Sequence, residues 1–218
     1  MSAQLLPQHS RHLQDRIRDL GLLDFEAGIL EGAYSGYRLL GTEQVDTEQV
    51  GTSRFAGQPD VSASFDVGQL KDLVFIYQVN LADLADGRAL GLPDSGLLSV
   101  FSGSDADAGM TFYFPSGKLV RHGMPAPHPE YIFSDMKPWR LRAAQCVDLP
   151  DYGADLFDDI GDAGLETNYE ELCETEFDDV AGPNIGQILG RYSDLNGDMR
   201  EDAADECGGQ PADWLSLW

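Results

Sequence analysis

The densest apolar stretch of the chain, Leu73 to Phe114, opens with a two-residue strand period. Val74, Ile76 and Gln78 would face one way and Phe75, Tyr77 and Val79 the other. Both rows are largely apolar, which predicts that Leu73–Asn80 is a central strand covered on both faces. Asn80 is suited to cap a short helical turn at Leu81 to Ala85, and Pro93 with Gly96 supplies a turn before a second apolar run, Leu97 to Phe101. A third run, Met110 to Phe114, reaches Pro-Ser-Gly and then Lys118 to His122, which predicts a hairpin. Trp139 to Val147 reads as a further strand.

Helical periods lie on either side of this stretch. Ser10 is placed to cap a helix running to about Leu23, with Leu13, Ile17 and Leu20 on one face. A second segment, Phe25 to about Tyr34, presents Ile29 and Leu30, and Gly32 and Gly36 limit its length. Leu39 to Val50 holds strand-forming residues without a firm period and is a strand or a loop. Farther on, Leu165, Tyr169, Leu172, Cys173 and Phe177 recur at helical spacing, so Glu166 to Phe177 is expected to be an amphipathic helix with its glutamates wet. The fold expected is α+β: mostly antiparallel sheet, N-terminal helices and an acidic amphipathic helix.

Charge changes the functional picture. With 38 acids against 14 Lys+Arg the net charge is −24, which argues against nucleic-acid and anionic-membrane partners, since both need clustered cations. Residues 1–142 hold 18 acids against 12 cations, whereas residues 143–218 hold 20 against 2. Such asymmetry points to a local cause. Concentrated acids speed encounter with a basic protein and make it salt-sensitive. Interleaved Tyr152, Phe157 and Tyr169 would add apolar anchors. Asp158, Asp159, Asp162, Tyr169, Glu170, Glu171 and Glu174 are the expected partner contacts, with the three aspartates preceding the helix near the positive end of its dipole. The competing reading is a solvated, solubilising face.

Catalytic and metal signals are weak. His9, His12, His122 and His128 form no HExxH, and Ser95 stands in DSGLL rather than a GxSxG elbow. Asp194-Leu195-Asn196-Gly197-Asp198, with Asp202 and Asp205, has oxygen ligands at alternating positions but the wrong register for a calcium loop. Cys146, Cys173 and Cys207 form no CxxC pair and read as reduced thiols. No catalysis, cofactor or metal is expected. The N-terminal MSAQLLPQHSRHLQ lacks the apolar core of a signal peptide and no run is long enough to span a membrane, so the chain is expected in the cytoplasm. His122 to Pro138, rich in proline and aromatics, reads as a rigid extended connection.

Four ordered motifs carry a resemblance. SRFAGQP (53–59), IYQVNL (76–81), LPDSGLL (92–98) and ILGRYSDLNGDMREDAADEC (188–207) resemble the YwqG-like family of uncharacterised bacterial proteins. Ala56 stands where that pattern has glycine, Tyr77 where it has a small residue and Ser193 where it has proline. The family pattern continues beyond the tryptophan matched by Trp214 into another Gln-containing strand, so residues 1–218 are read as a single domain shortened at its C-terminus. The resemblance implies an α+β fold and no established catalytic residues. Some members resemble immunity proteins encoded beside secreted antibacterial toxins, which implies a cytoplasmic toxin inhibitor. The expected partner is then a basic toxin, a nuclease being the most natural because its own cleft must be positive. The alternative is a housekeeping protein that binds a small ligand or cation.

Overall fold

The computed structural model describes residues 5–45, 49–103, 109–115, 117–123, 137–150, 155–175 and 183–189. The described helices are α1 (Pro7–Asp19), α2 (Glu26–Gly32), α3 (Asp155–Asp162) and α4 (Glu166–Thr175). The strands are β1 (Tyr34–Gln44), β2 (Arg54–Phe55), β3 (Asp60–Ser62), β4 (Leu73–Asn80), β5 (Leu97–Gly103), β6 (Gly109–Phe114), β7 (Leu119–Arg121), β8 (Trp139–Asp148) and β9 (Asn184–Ile188). Seven form one sheet in the order β6-β5-β4-β2-β8-β1-β9, and β3 pairs with β7 in a second. The β2/β4, β2/β8, β4/β5 and β5/β6 pairs are all antiparallel, so the class is α+β as expected.

The chain divides into two units, residues 1–38, 145–181 and 186–218 in one and 39–144 and 182–185 in the other. The first holds 25 acids against 6 Lys+Arg and the second 13 against 8. The acidity thus belongs to the helical unit.

In the first unit Leu13 and Ile17, one turn apart on α1, are fully buried with Leu22, Ile29, Ala33, Val147, Leu149, Ile160, Tyr169 and Leu172. Helix α1 begins earlier than Ser10 because Pro7 occupies its first turn, where the missing N–H costs nothing. Ser10 lies inside the helix, its N–H donating to Leu6 O at 2.9 Å, while the Leu6 N–H is held by Ser35 Oγ at 2.8 Å. Gly36 on β1 has no room for a side chain, since a Cβ there would stand 2.9 Å from Leu189 O. The acids Asp158, Asp159 and Asp162 do not merely precede a helix: they lie on one of their own, α3.

The second unit is built on β4, whose bounds are those expected. Its predicted cap is present as well, Asn80 Oδ1 accepting from Ala82 N at 3.1 Å ahead of a 3-10 turn at Leu81–Asp83. The expected alternation along β4 fails at one point. Phe75 pairs with Phe101 and Tyr77 with Val100, leaving Ile76 as an extra residue. This bulge puts Phe75 on the same face as Gln78 rather than that of Tyr77. Phe75 then packs edge-on to Phe101 at 5.5 Å, in a core that also holds Val61, Leu70, Leu97 and Phe114. The hairpin expected between Met110–Phe114 and Lys118–His122 does not form. Strand β7 turns away to pair with β3, Asp60 opposite Arg121 and Ser62 opposite Leu119.

Candidate functional site

The turn that carries SRFAGQP is held by a buried charge cluster. Strand β2 sits between β4 and β8, which places Arg54 opposite Gln78 and opposite Arg140. The chain then reverses through Ala56 and Gly57, both at positive φ (60° and 78°), and returns as β3 with Asp60 at its head. Left-handed backbone costs an L-residue other than glycine about 1 kcal/mol, a physical reason for glycine to be favoured where this chain has Ala56.

Asp60 is the centre of the cluster and is 0 % exposed, as is Gln78, while Arg54 is 1 % exposed. Its Oδ2 accepts from Arg54 Nη1 at 2.7 Å, Gly51 N at 2.8 Å, Gln78 Nε2 at 2.9 Å and Arg121 Nη2 at 3.3 Å. Its Oδ1 accepts from Arg121 Nε at 2.9 Å. Gln78 reciprocates by accepting from Asp60 N at 2.9 Å, and its amide also donates to Thr52 O at 2.8 Å. Arg54 donates onward to the Gln58 carbonyl, and its guanidinium lies 5.8 Å from the centre of the Phe75 ring. Burial pushes the Asp60 carboxyl upward, but the bonds from Arg54, Arg121, Gly51 and Gln78 outweigh it and hold the group well below the usual carboxylate range. Asp60 therefore has neither a proton to give nor an exposed lone pair. Its chemistry is to tie β2, β3, β4, β7 and the turn before β2 into one assembly.

A second tier continues this clamp toward solvent. Ser53 Oγ donates to Asp83 Oδ2 at 2.9 Å and accepts from Asn80 N at 2.9 Å, and Asn80 Nδ2 donates to Gly51 O at 3.0 Å. Beside it opens a groove of about 380 Å³, with Leu97, Phe114 and Leu119 among its apolar walls and Gly51, Asn80, Ser95 and Gly96 at the clamp side. Three of the motifs singled out by sequence thus converge on one end of this unit.

The expected partner contacts lie elsewhere, on α3 and α4. Asp158, Asp159, Asp162 and Glu171 are exposed and Glu170 is half-buried. Glu171 comes within 3.9 Å of Arg16. The side chain of Glu174 and all of Tyr152 lie outside the described residues, as do the oxygen-rich run from Asp194 to Asp205, Cys207 and most of His122 to Pro138. Tyr169 must be corrected: it is a core residue, 2 % exposed, with its hydroxyl donating to Pro150 O at 2.6 Å. Its ring is packed inside and anchors α4, not a partner. Tyr169→Phe should cost about 1 kcal/mol by chemical denaturation, since it strands a buried carbonyl; an unchanged midpoint would contradict that bond.

Among the described residues no group of three His, Cys, Asp or Glu is placed to hold a metal, and no helix is long and apolar enough to cross a membrane. Cys146 is buried, and burial pushes its thiol up to about 12, leaving it unreactive at neutral pH. The Tyr77 hydroxyl is buried without a hydrogen-bond partner among the described residues.

Sequence reasoning missed Asp60 and Arg121. Asp60 follows the SRFAGQP motif directly, six residues from Arg54, and that local pairing was readable; Arg121 is 61 residues away and left no signal.

Residues 53–212 match the model of DUF1963, a domain of unknown function, and the chain belongs to that family. The match begins at Ser53, the residue that opens the clamp. No match was found among curated proteins.

Proposed function

We propose that this chain is a non-enzymatic, YwqG-like binding protein, cytoplasmic in its place of action, that neutralises a basic antibacterial toxin through the acidic face of α3 and α4. The observation that carries this reading is the combination of exposed Asp158, Asp159, Asp162 and Glu171 with a rigid mount. Ile160, Tyr169 and Leu172 on the same two helices are buried in the core, so the carboxylates project from a fixed surface. Fixed charge of one sign steers a cationic partner during encounter and adds little to the lifetime of the complex. A nuclease is the partner whose chemistry fits best, because a cleft that binds polyanionic nucleic acid will also accept an acidic protein surface.

A pull-down from native cell extract at low and at high salt, with bound proteins identified by mass, tests the reading. A stoichiometric basic partner, released by salt and toxic when produced alone, is the expected result. Asp158→Lys, Asp159→Lys and Asp162→Lys together should then slow its association about tenfold at low salt, with dissociation little changed. Unaltered association in that variant would remove the electrostatic contact. A second reading, a housekeeping protein with a small ligand, is favoured by the groove beside Asn80 and Leu97; it would show as ligand-dependent melting with no protein captured.

A further inference from the structure

Among the described residues Asp60 is the only buried carboxylate, and binding through α3 and α4 makes no use of it. Five hydrogen bonds reach its two oxygens from four residues of the same unit: the Arg54 and Arg121 guanidiniums, the Gln78 amide and the Gly51 N–H. Two planar guanidiniums and two neutral N–H donors converging on one place are the groups with which proteins hold a free carboxylate.

Each donor is also anchored by a bond in which the carboxylate takes no part. Arg54 donates to the Gln58 carbonyl and lies 5.8 Å from the Phe75 ring centre. Arg121 donates to Gln49 O at 3.4 Å, and Gln78 donates to Thr52 O at 2.8 Å. Gly51 is held through its own carbonyl, which accepts from Asn80 Nδ2 at 3.0 Å. Deleting the Asp60 side chain therefore removes the guest and leaves its hosts tethered in place. A site ordered beforehand loses little of its interaction to ordering when a ligand enters. Access comes from the Arg121 side, which is 28 % exposed, while Arg54 closes the dry side at 1 %.

We infer that these donors form a preassembled carboxylate-binding socket in which Asp60 is the in-chain ligand. Occupancy by a carboxylate, rather than the covalent tether, then sets the Gln49–Ser53 turn beside the groove. The ligand class is a small monocarboxylate. Beyond Cα the Asp60 side chain has the outline of acetate, and beyond Cβ that of formate. A neutral amide of the same shape brings no charge to the two cations and only one acceptor oxygen, so the socket rejects it. The inference does not depend on α3 and α4 being a contact surface.

The test uses the full chain at pH 7 with sodium acetate and sodium formate, against sodium chloride and acetamide as controls. Asp60→Gly vacates the acetate-sized space and Asp60→Ala only the formate-sized one. Acetate should therefore stabilise the glycine variant more than formate does, and formate should stabilise the alanine variant more than acetate does. With the matching salt at about 100 mM the folding equilibrium constant, read from urea midpoints, should rise about tenfold or more, as for a small ligand with Kd of about 10 mM or below. Hydrogen exchange at Gly51 and Thr52 should slow with it. Wild type and Asp60→Asn, whose sockets are filled, should respond to the carboxylates no more than to chloride. The same holds for Asp60→Leu with Arg54→Met, which lacks the buried cation. If Asp60→Gly is unfolded in chloride, circular dichroism should show acetate restoring the fold. An equal gain in wild type, or the same preferred salt in both variants, would mean a general salt effect and overturn the inference. So would no gain in either variant, a chain that stays unfolded in acetate, or stabilisation that leaves exchange at Gly51 and Thr52 unchanged.

Discussion

Replacing Asp60 with alanine should lower stability by about 3–5 kcal/mol, the cost of leaving a buried charge without its counterion. Arg54 is 1 % exposed and cannot turn to water, whereas Arg121 at 28 % can. The loss is therefore chiefly that of the Arg54 guanidinium, together with the orphaned Gly51 N–H and one arm of the Gln78 amide. Urea unfolding at pH 7 measures it; a loss under about 1 kcal/mol would mean that the cluster admits water. Removing both partners, Asp60→Leu with Arg54→Met, should recover part of the stability, because a buried ion pair exchanged for apolar side chains is often close to neutral. The pH dependence has a definite sign. The folded-state pKa of Asp60 lies below its unfolded value near 3.9. Its contribution is therefore fully present above about pH 4 and lost only as the pH falls through the lower folded value. The gap between wild type and Asp60→Ala should hold from pH 7 to pH 5 and narrow in strong acid.

The fold was legible where a single segment decides its own conformation. Strand β4, the Asn80 cap and strands β5, β6 and β8 follow from β-branched and aromatic runs bounded by turn residues. What was not legible depends on partners distant in sequence. The Pro-Ser-Gly stretch marks a turn, yet it cannot say that β7 will pair with β3 rather than with β6. The bulge at Ile76 is likewise invisible in LVFIYQVN, because it is defined by the register of β5. At the site, the density of acids in residues 143–218 drew attention to carboxylates that sit in water, while the most constrained carboxylate, Asp60, is isolated in sequence. Tyr169 misled for a related reason. An aromatic between acids reads as an interface anchor, but its spacing from Leu165 and Leu172 already placed it on the buried stripe of α4.

Gln78→Leu should cost about 3 kcal/mol with almost no change in side-chain volume, which makes it the cleanest probe of the clamp. Gln78 is 0 % exposed and spends its whole amide inside the protein: Oε1 on Asp60 N, Nε2 on Thr52 O and on Asp60 Oδ2. Leucine fills the space but removes the acceptor of the buried Asp60 N–H, at about 1–3 kcal/mol, along with the amide's bonds to Asp60 Oδ2 and to the half-buried Thr52 carbonyl. The strand glutamine is thus a fastener for the segment Gln49–Ser53, which reaches β4 also through Asn80 and Ser53. The consequence extends to the groove, whose wall includes Val50 and Gly51. Hydrogen exchange at Gly51 and Thr52 should rise in Gln78→Leu by about the factor that the stability loss implies, while exchange in α1 and α4 stays at its wild-type level. Loosening spread equally over the helices would show that Gln78 acts on global stability alone. Loosening confined to the turn before β2 would show that one side chain, with two of its bonds on Asp60 and the third on the Thr52 carbonyl beside the groove, couples the buried charge cluster to the surface next to it.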